Sequence, residues 1–477
     1  MKKLLFVFTC SFIFSCTAQE NSKNEFSKLK NPALNQRIDS LVFAYQNLDI
    51  FSWVVLIAEK GKPYYHKAFG LADRKNKIPN KLDTRFDIGS MNKSFTKVLI
   101  LQLISEGKLD LDDPLGKFLK GFKKEVAEKV KVKHLLNHTS GLVHYHTPQY
   151  WDLPIEEKGI DGALKVIRTI PLEFEPGTDQ AYSNAGYVLL GAIVEKVEGK
   201  SFADVVENRI TKPLQLKDTY LRDKYSVPNR AIGYFKNIKG EIQDNEYLQE
   251  QPTPAGGFYS TTIDILRFYR AMIYTNDLLP AKIKEKDEQF QFYEANMENG
   301  GAITHAGGFE GANTVHYEIL RDQISIIVFA NMDEVVAEDL GMGILQLIRG
   351  KKPKSPQLPA EQCVYQAYNK YGIDFVKQHW DSLTQNFHPA DPKDLILNQI
   401  GYEFLFEERV DAAIELFALN TQLFPSIANC WDSLGEGYLF KNELEKSELA
   451  YKKALEIRPN LMSAKKGLKE IAKKRAN

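Results

Sequence analysis

Phe86-Asp87-Ile88-Gly89-Ser90-Met91-Asn92-Lys93 leads into residues 93–106, whose apolar side chains recur at helical spacing. Ser90 therefore precedes a helix, and Lys93, three residues on, shares its face. A serine hydroxyl is a weak nucleophile until a neighbour takes its proton. A lysine in a cationic, desolvated pocket can have its pKa lowered enough to do so, and the helix N-terminus adds positive potential for an anionic intermediate. Ser-x-x-Lys also occurs at Ser27, Ser94, Ser105 and Ser463. Only Ser90 combines a preceding glycine with a helix start.

Outward from this stretch, residues 53–58 and 64–69 read as strands around Lys60-Gly61-Lys62. A second hairpin is expected from 312–320 and 323–330 around Arg321-Asp322, with the apolar segment 324–329 as a buried strand. Between the hairpins the pattern is mostly helical, including 185–198 and 263–274, with Gly199 and Asn276 as stop signals. Strands at both ends and helices between them predict an α+β domain: an antiparallel sheet flanked by helices, with an inserted all-helical subdomain.

Two further elements carry chemistry. Tyr182-Ser183-Asn184 follows Pro176-Gly177 at a loop-to-helix junction. A phenol has a pKa near 10, so Tyr182 needs a cation such as Lys93 beside it to serve as a base at neutral pH. Asn184 reads either as a substrate ligand or simply as a helix N-cap. Ile303-Thr304-His305-Ala306-Gly307-Gly308 precedes the second hairpin, and its glycines would let a substrate approach the sheet edge.

In this order and spacing the three elements resemble the serine β-lactamase and penicillin-binding protein superfamily, most closely its class C, esterase and D-aminopeptidase branch. Residues 132–142, Glu175-Pro176-Gly177 and residues 254–262 support the likeness, which covers about residues 36–350. The resemblance implies that Ser90 is acylated, that Lys93 and Tyr182 share general-base and general-acid duty, and that Asn184 hydrogen-bonds substrate. It also implies an oxyanion hole of Ser90 and Gly308 N–H groups, with His305 and Gly307 on the same strand against the substrate. Where many relatives have Lys-Thr-Gly, this chain has His305-Ala306-Gly307. A histidine with its usual pKa of about 6.5 is neutral or partly charged, so carboxylate recognition is weakened. Esters, amides and D-amino-acid peptides are the expected substrates.

His134, His138, His144 and His146 raise a metal alternative, but no His-Glu-x-x-His accompanies them; neither a metal nor a cofactor is expected. The 477 residues suggest about three structural units, and 62 basic against 62 acidic residues argue against nucleic-acid binding. Lys2 and Lys3 precede the apolar run 4–14, too short for a membrane helix and suited to a signal peptide over 1–16, or to residue 18. Ile13-Phe14-Ser15-Cys16 resembles a bacterial lipoprotein box, so lipidation at Cys16 is favoured over ordinary cleavage. Residues 17–34 would be a tether. The expected location is the bacterial periplasm, free or as a membrane-anchored lipoprotein.

A Pro/Lys linker, 351–362, separates the hydrolase-like domain at 35–350 from residues 363–477. There Gly401 and Gly435, Phe404 and Tyr438, Phe417 and Tyr451, and Pro425 and Pro459 are each 34 residues apart. Trp431-x-x-Leu434-Gly435-x-x-Tyr438 and Ala413-x-x-x-Phe417 match the tetratricopeptide pattern, with a degenerate pair expected at 364–383 and a capping helix at 463–474. Such repeats offer a surface for a protein partner. Two functions follow: an exported serine hydrolase acting on a small-molecule or peptide substrate, or a repeat scaffold whose hydrolase fold is inactive.

Overall fold

A computed structural model describes residues 32–50, 52–142, 144–248, 251–332, 336–386 and 392–476. The expected signal peptide, Cys16 and the tether through residue 31 lie outside the described residues. Helix α1, Pro32–Gln46, starts slightly before the expected domain edge at residue 35. Proline in a first helical turn loses no intrahelical hydrogen bond, which accounts for the earlier start.

Two compact units divide the chain: one reaches Phe235 and resumes over Asp244–Pro356, and the other comprises Lys236–Gln243 and the residues from Gln357 onward. The first is built on a five-stranded antiparallel sheet of β1 (Trp53–Glu59), β2 (Lys62–Phe69), β3 (Ala302–Phe309), β4 (Ala312–Ile319) and β5 (Ile324–Ala330), in the order β2-β1-β5-β4-β3. Both expected hairpins are present. Chain-distant β1 and β5 pair from Trp53 with Ala330 to Glu59 with Ile324, joining them into one sheet.

Strands β4 and β5 are buried throughout, as is β1 up to its last residue. Alternation divides the layers. Trp53, whose ring meets Tyr45 of α1 edge-on, lies on one face; Val54, Leu56 and Ala58 join the core on the other. That core includes α2 (Lys93–Ser105), α3 (Asn184–Glu198) and α4 (Thr262–Tyr274). Helix α2 has buried residues almost all round, the mark of a central helix, and its Phe95 stacks on Phe268 of α4 at 3.7 Å. Helix α5, Val336–Ile348, packs on β4 and β5. Residues 115–210 form the expected helical insertion, in which α3 ends at Gly199 in a left-handed conformation.

The second unit is helical from α6 to α12: Ala360–Tyr371, Ile373–Leu383, Asp394–Phe406, Val410–Leu423, Ala428–Phe440, Leu444–Ile457 and Met462–Ala476. A Cβ on Gly401 would sit 2.3 Å from the Phe417 ring, and one on Gly435 would sit 2.8 Å from Tyr451. The 34-residue spacing thus marks equivalent glycine-to-aromatic contacts between successive helices. Lys239, from the 236–243 segment of this unit, pairs with Glu403 at 2.8 Å and Glu407 at 2.6 Å.

Candidate active site

Ser90 lies in a single 3-10 turn, Gly89–Asn92, that runs straight into α2. Gly89 has φ +48°, and a Cβ there would come 2.8 Å from Gly308 N. On the facing strand, a Cβ on Gly307 would lie 2.0 Å from Ile88 O and 2.8 Å from Ser90 N. Backbone therefore meets backbone without intervening side chains, bringing the Ser90 turn against β3. The Thr314 hydroxyl, 3.2 Å from Ile88 O and 3.1 Å from Gly307 O, bridges the two segments.

Two side chains converge on Ser90 Oγ: Lys93 Nζ at 2.9 Å and the Tyr182 hydroxyl at 2.6 Å. Lys93 also donates to Ala255 O at 2.7 Å. The loop carrying that carbonyl is tied to the same helix end by Asn92 Nδ2 to Thr253 O and Thr96 Oγ1 to Pro254 O. Residues 254–262 entered the sequence reading only as a supporting stretch; their contribution is this carbonyl cradle, which no side-chain motif announces.

Burial drives the Lys93 ammonium well below its usual pKa, while it pushes the Tyr182 phenol up to about 12, opposed in part by the hydrogen bond to Ser90. Burial thus works against the phenolate that Tyr182 would need as a base. Desolvation penalises both charged forms and so favours a neutral amine beside a protonated phenol. Beneath Tyr182, the His138 ring stacks at 4.8 Å, and its Nδ1 accepts the Ser183 N–H at 3.0 Å. Burial and the nearby Lys93 and Lys97 take His138 down to about 3, fixing it as a neutral acceptor.

The metal alternative assumed His134 and His138 on one helix. That helix ends at Leu136, and His138 has φ +58°. Among the described residues no cluster of three His, Cys, Asp or Glu side chains could hold a metal. Asn184 opens α3 and lines the cleft, whereas the N-cap is Ser183, whose Oγ accepts the Gly186 N–H at 2.8 Å. The capping alternative for Asn184 is therefore replaced: its neighbour does that work.

The cleft encloses about 840 Å³, including its open mouth, and contains Ser90, Asn184 and Gly308 but neither His305 nor Gly307. Gly307 is spent on the approach to Ser90. His305 lies in a polar seam, 2.7 Å from the Tyr293 hydroxyl through Nε2 and 3.3 Å from His316 through Nδ1. His316 in turn meets Glu318 at 2.9 Å, and the Tyr274 hydroxyl donates to Glu318 at 2.7 Å. Burial, His316 and Lys97 hold His305 well below its usual pKa. The expectation of a partly charged histidine at the substrate is corrected: the ring packs on Tyr269 at 4.2 Å and is neutral.

Sequence reasoning assigned no role to other cleft residues, among them Asp87, Tyr145, Arg222, Lys224 and Asn245, and it weighed His146 only as a metal ligand. Asp87 stands in the nucleophile stretch itself, so its position next to Ser90 was the available signal. Lys224 opens a short 3-10 turn, Lys224–Ser226, and Arg222 and Asn245 lie in irregular segments, all far along the chain, and no local pattern distinguishes them.

Residues 38–345 match the family described as Beta-lactamase. The chain belongs to the β-lactamase family. This family member is 29% identical over 316 residues to penicillin-binding protein 4* of Bacillus subtilis (strain 168), an alignment spanning 60% of the chain and 69% of that relative. It is 31% identical over 222 residues to the teichoic acid D-alanine hydrolase of Staphylococcus aureus, spanning 46% of the chain and 54% of that relative, about half its length. An octameric penicillin-binding protein homologue from Pyrococcus abyssi shares the fold, with TM-score 0.59 and 24% identity over 71% of this chain and 82% of the other. These relatives support the serine-hydrolase type of this β-lactamase-family chain.

Proposed function

We propose that the protein is an exported serine hydrolase that turns over an ester, amide or D-amino-acid peptide through an acyl-enzyme on Ser90. The observation that carries this reading is the convergence of Lys93 Nζ and the Tyr182 hydroxyl on Ser90 Oγ at 2.9 and 2.6 Å, where burial disfavours the charged forms of both. Ser90 Oγ attacks the substrate carbonyl carbon as its proton passes to the neutral Lys93 amine. The carbonyl oxygen becomes an oxyanion facing the N–H groups of Ser90 and Gly308.

Collapse of that intermediate breaks the bond to the alcohol or amine, which takes a proton from the Tyr182 phenol while Lys93 reprotonates the phenolate. Water then attacks the acyl ester, giving its proton back through the same pair, and Ser90 is regenerated. Asn184 hydrogen-bonds the acyl group from the cleft wall. Because His305 is half-buried outside the cleft lining and its pKa is lowered, it supplies no fixed cation, and the Lys-Thr-Gly mode of gripping a carboxylate has no counterpart on this strand. The S. aureus relative's D-alanine-releasing activity supports an ester among the substrates. The penicillin-binding and teichoic acid D-alanine hydrolase relatives support export, and the Ile13-Phe14-Ser15-Cys16 stretch makes Cys16 the lipid attachment point. The second unit is read as tetratricopeptide repeats that hold a protein partner, on the strength of its 34-residue glycine-aromatic contacts.

Intact-mass spectrometry of the protein and its Ser90→Ala variant, after a fluorophosphonate and separately a penicillin, tests the reading. A fluorophosphonate adduct that disappears in the variant is expected. An adduct with penicillin as well would widen the substrates to β-lactams. No adduct with either reagent would overturn the hydrolase reading in favour of a scaffold.

A further inference from the structure

Asp87 is a carboxylate in the catalytic cleft that the acyl-transfer steps do not use. It ends the two-residue strand Phe86–Asp87, which pairs with Tyr259–Ser260, and lines the cleft together with Gly89, Ser90 and Gly308. Its Oδ1 accepts the Gly89 N–H at 2.8 Å, the only hydrogen bond to this carboxylate among the described residues. No Lys, Arg or His among those residues lies within ion-pair distance of it. Capping one N–H does not require a charge; an asparagine would serve.

Asp87 is half-buried on the cleft wall, so a ligand covering it would strip its remaining water, and that cost falls when the ligand brings a cation. Lys224 is near enough to be felt electrostatically, but its ammonium is already engaged by Leu248 O at 3.0 Å, Asn245 O at 3.4 Å and Glu246 at 3.6 Å. Arg222 lies against the Tyr220 ring at 4.2 Å. The missing cation thus has to come from the substrate. An α-amino group sits one carbon from the carbonyl that Ser90 attacks, so a residue beside the nucleophile is where its partner belongs.

We propose that Asp87 binds the α-ammonium of the acyl group, making the substrates aminoacyl esters or amides with a free amine. The inference rests on the Ser90 acyl-enzyme reading and narrows its substrate class. Asp87 is a specificity residue; the ammonium pairs with its carboxylate while the carbonyl carbon meets Ser90 Oγ. Blocking or removing the amine leaves Asp87 buried beside an apolar acyl group, which discriminates strongly because the unmet charge stays in the cleft.

The test compares p-nitrophenyl esters of D-alanine and of propionate, which differ by the amine, in wild-type protein and Asp87→Asn. Asparagine keeps the Gly89 acceptor and removes the charge. Wild type should favour the alanyl ester in kcat/KM, and the variant should lose that preference by about tenfold or more. An unchanged ratio in a variant that still takes up fluorophosphonate would overturn the Asp87 assignment while leaving the hydrolase standing. If Asp87→Asn does not take up the reagent, competition by D-alaninamide and propionamide against wild-type labelling decides. Protection by the aminated compound alone supports the proposal, and equal protection overturns it. Loss of Ser90-dependent labelling in wild type itself would sink the underlying hydrolase reading.

Discussion

Lys93 and Lys97 lie one turn apart on α2, and each anchors a different polar region. At the catalytic end, Lys93 faces Ser90, Tyr182 and the Ala255 carbonyl, with no carboxylate in an ion pair with it among the described residues. Deeper along the helix, Lys97 has Asp287 at 3.0 Å, and that pair lies beside the seam containing Tyr293 and His305. Both lysines are depressed by burial, but Asp287 and Glu288 oppose the shift at Lys97. The contrast teaches that sequence spacing puts a lysine on the right face, and the counter-charge decides whether it becomes a base or a structural cation.

The largest effect should come from Lys93→Arg. Arginine puts a permanent cation where burial favours a neutral amine, and it cannot give up its proton near neutral pH, so kcat/KM for an activated ester should fall about 10³-fold with fluorophosphonate uptake slowed in parallel. A fall of less than tenfold would remove Lys93 from the base role. Tyr182→Phe deletes one of the two groups on Ser90 Oγ and should cost about 10²-fold in kcat, with slower release of a poor amine leaving group than of p-nitrophenol. Equal losses on both substrates would argue against the phenol as proton donor.

Lys97→Met inverts the comparison by leaving Asp287 buried without its cation. Thermal and urea unfolding should show a loss of about 3 kcal/mol, while kcat/KM per folded, labelled molecule stays within about tenfold of wild type. A larger catalytic loss with normal stability would put Lys97 in the reaction.

The smallest effect concerns Asp87, whose carboxyl burial raises from 3.8 to about 6. A raised native pKa means that the folded protein binds the proton more tightly than the unfolded chain. Stability from that proton is present below about pH 4 and is lost as pH rises through about 6. Asp87→Asn should therefore melt a few degrees above wild type at pH 7 to 8 and together with it at pH 4. The same difference at both pH values would mean that the carboxyl is not perturbed.

Much of the molecule was legible because local patterns report local structure. Apolar runs around turn residues marked β1, β4 and β5; helical periodicity marked α2 and α3, the latter with Gly199 as its stop; a 34-residue offset marked α8 to α11. Ser90, Lys93 and Tyr182 were legible because each motif sits at an element boundary. His305 was misread because its position on β3 identified a strand that borders the site, whereas the depth of its ring depends on Tyr269, Tyr293 and His316 from three other elements. Asn184 was ambiguous for a related reason: two adjacent residues can cap a helix, and only the backbone path selected Ser183.

By itself the amino-acid sequence determined the order of strands and helices, the shared face of Ser90 and Lys93, and the glycines that permit the turn to meet β3. These depend on dihedral preference and on contacts a few residues apart. Tertiary structure alone decided that the Ala255 carbonyl meets Lys93, that the Tyr182 phenol reaches Ser90, that burial lowers the His305 pKa, and that Asp87 lines the cleft with no ion pair among the described residues. Charge state and reactivity follow from desolvation and from neighbours brought in across hundreds of residues, and neither is written in a stretch of chain until that chain has packed.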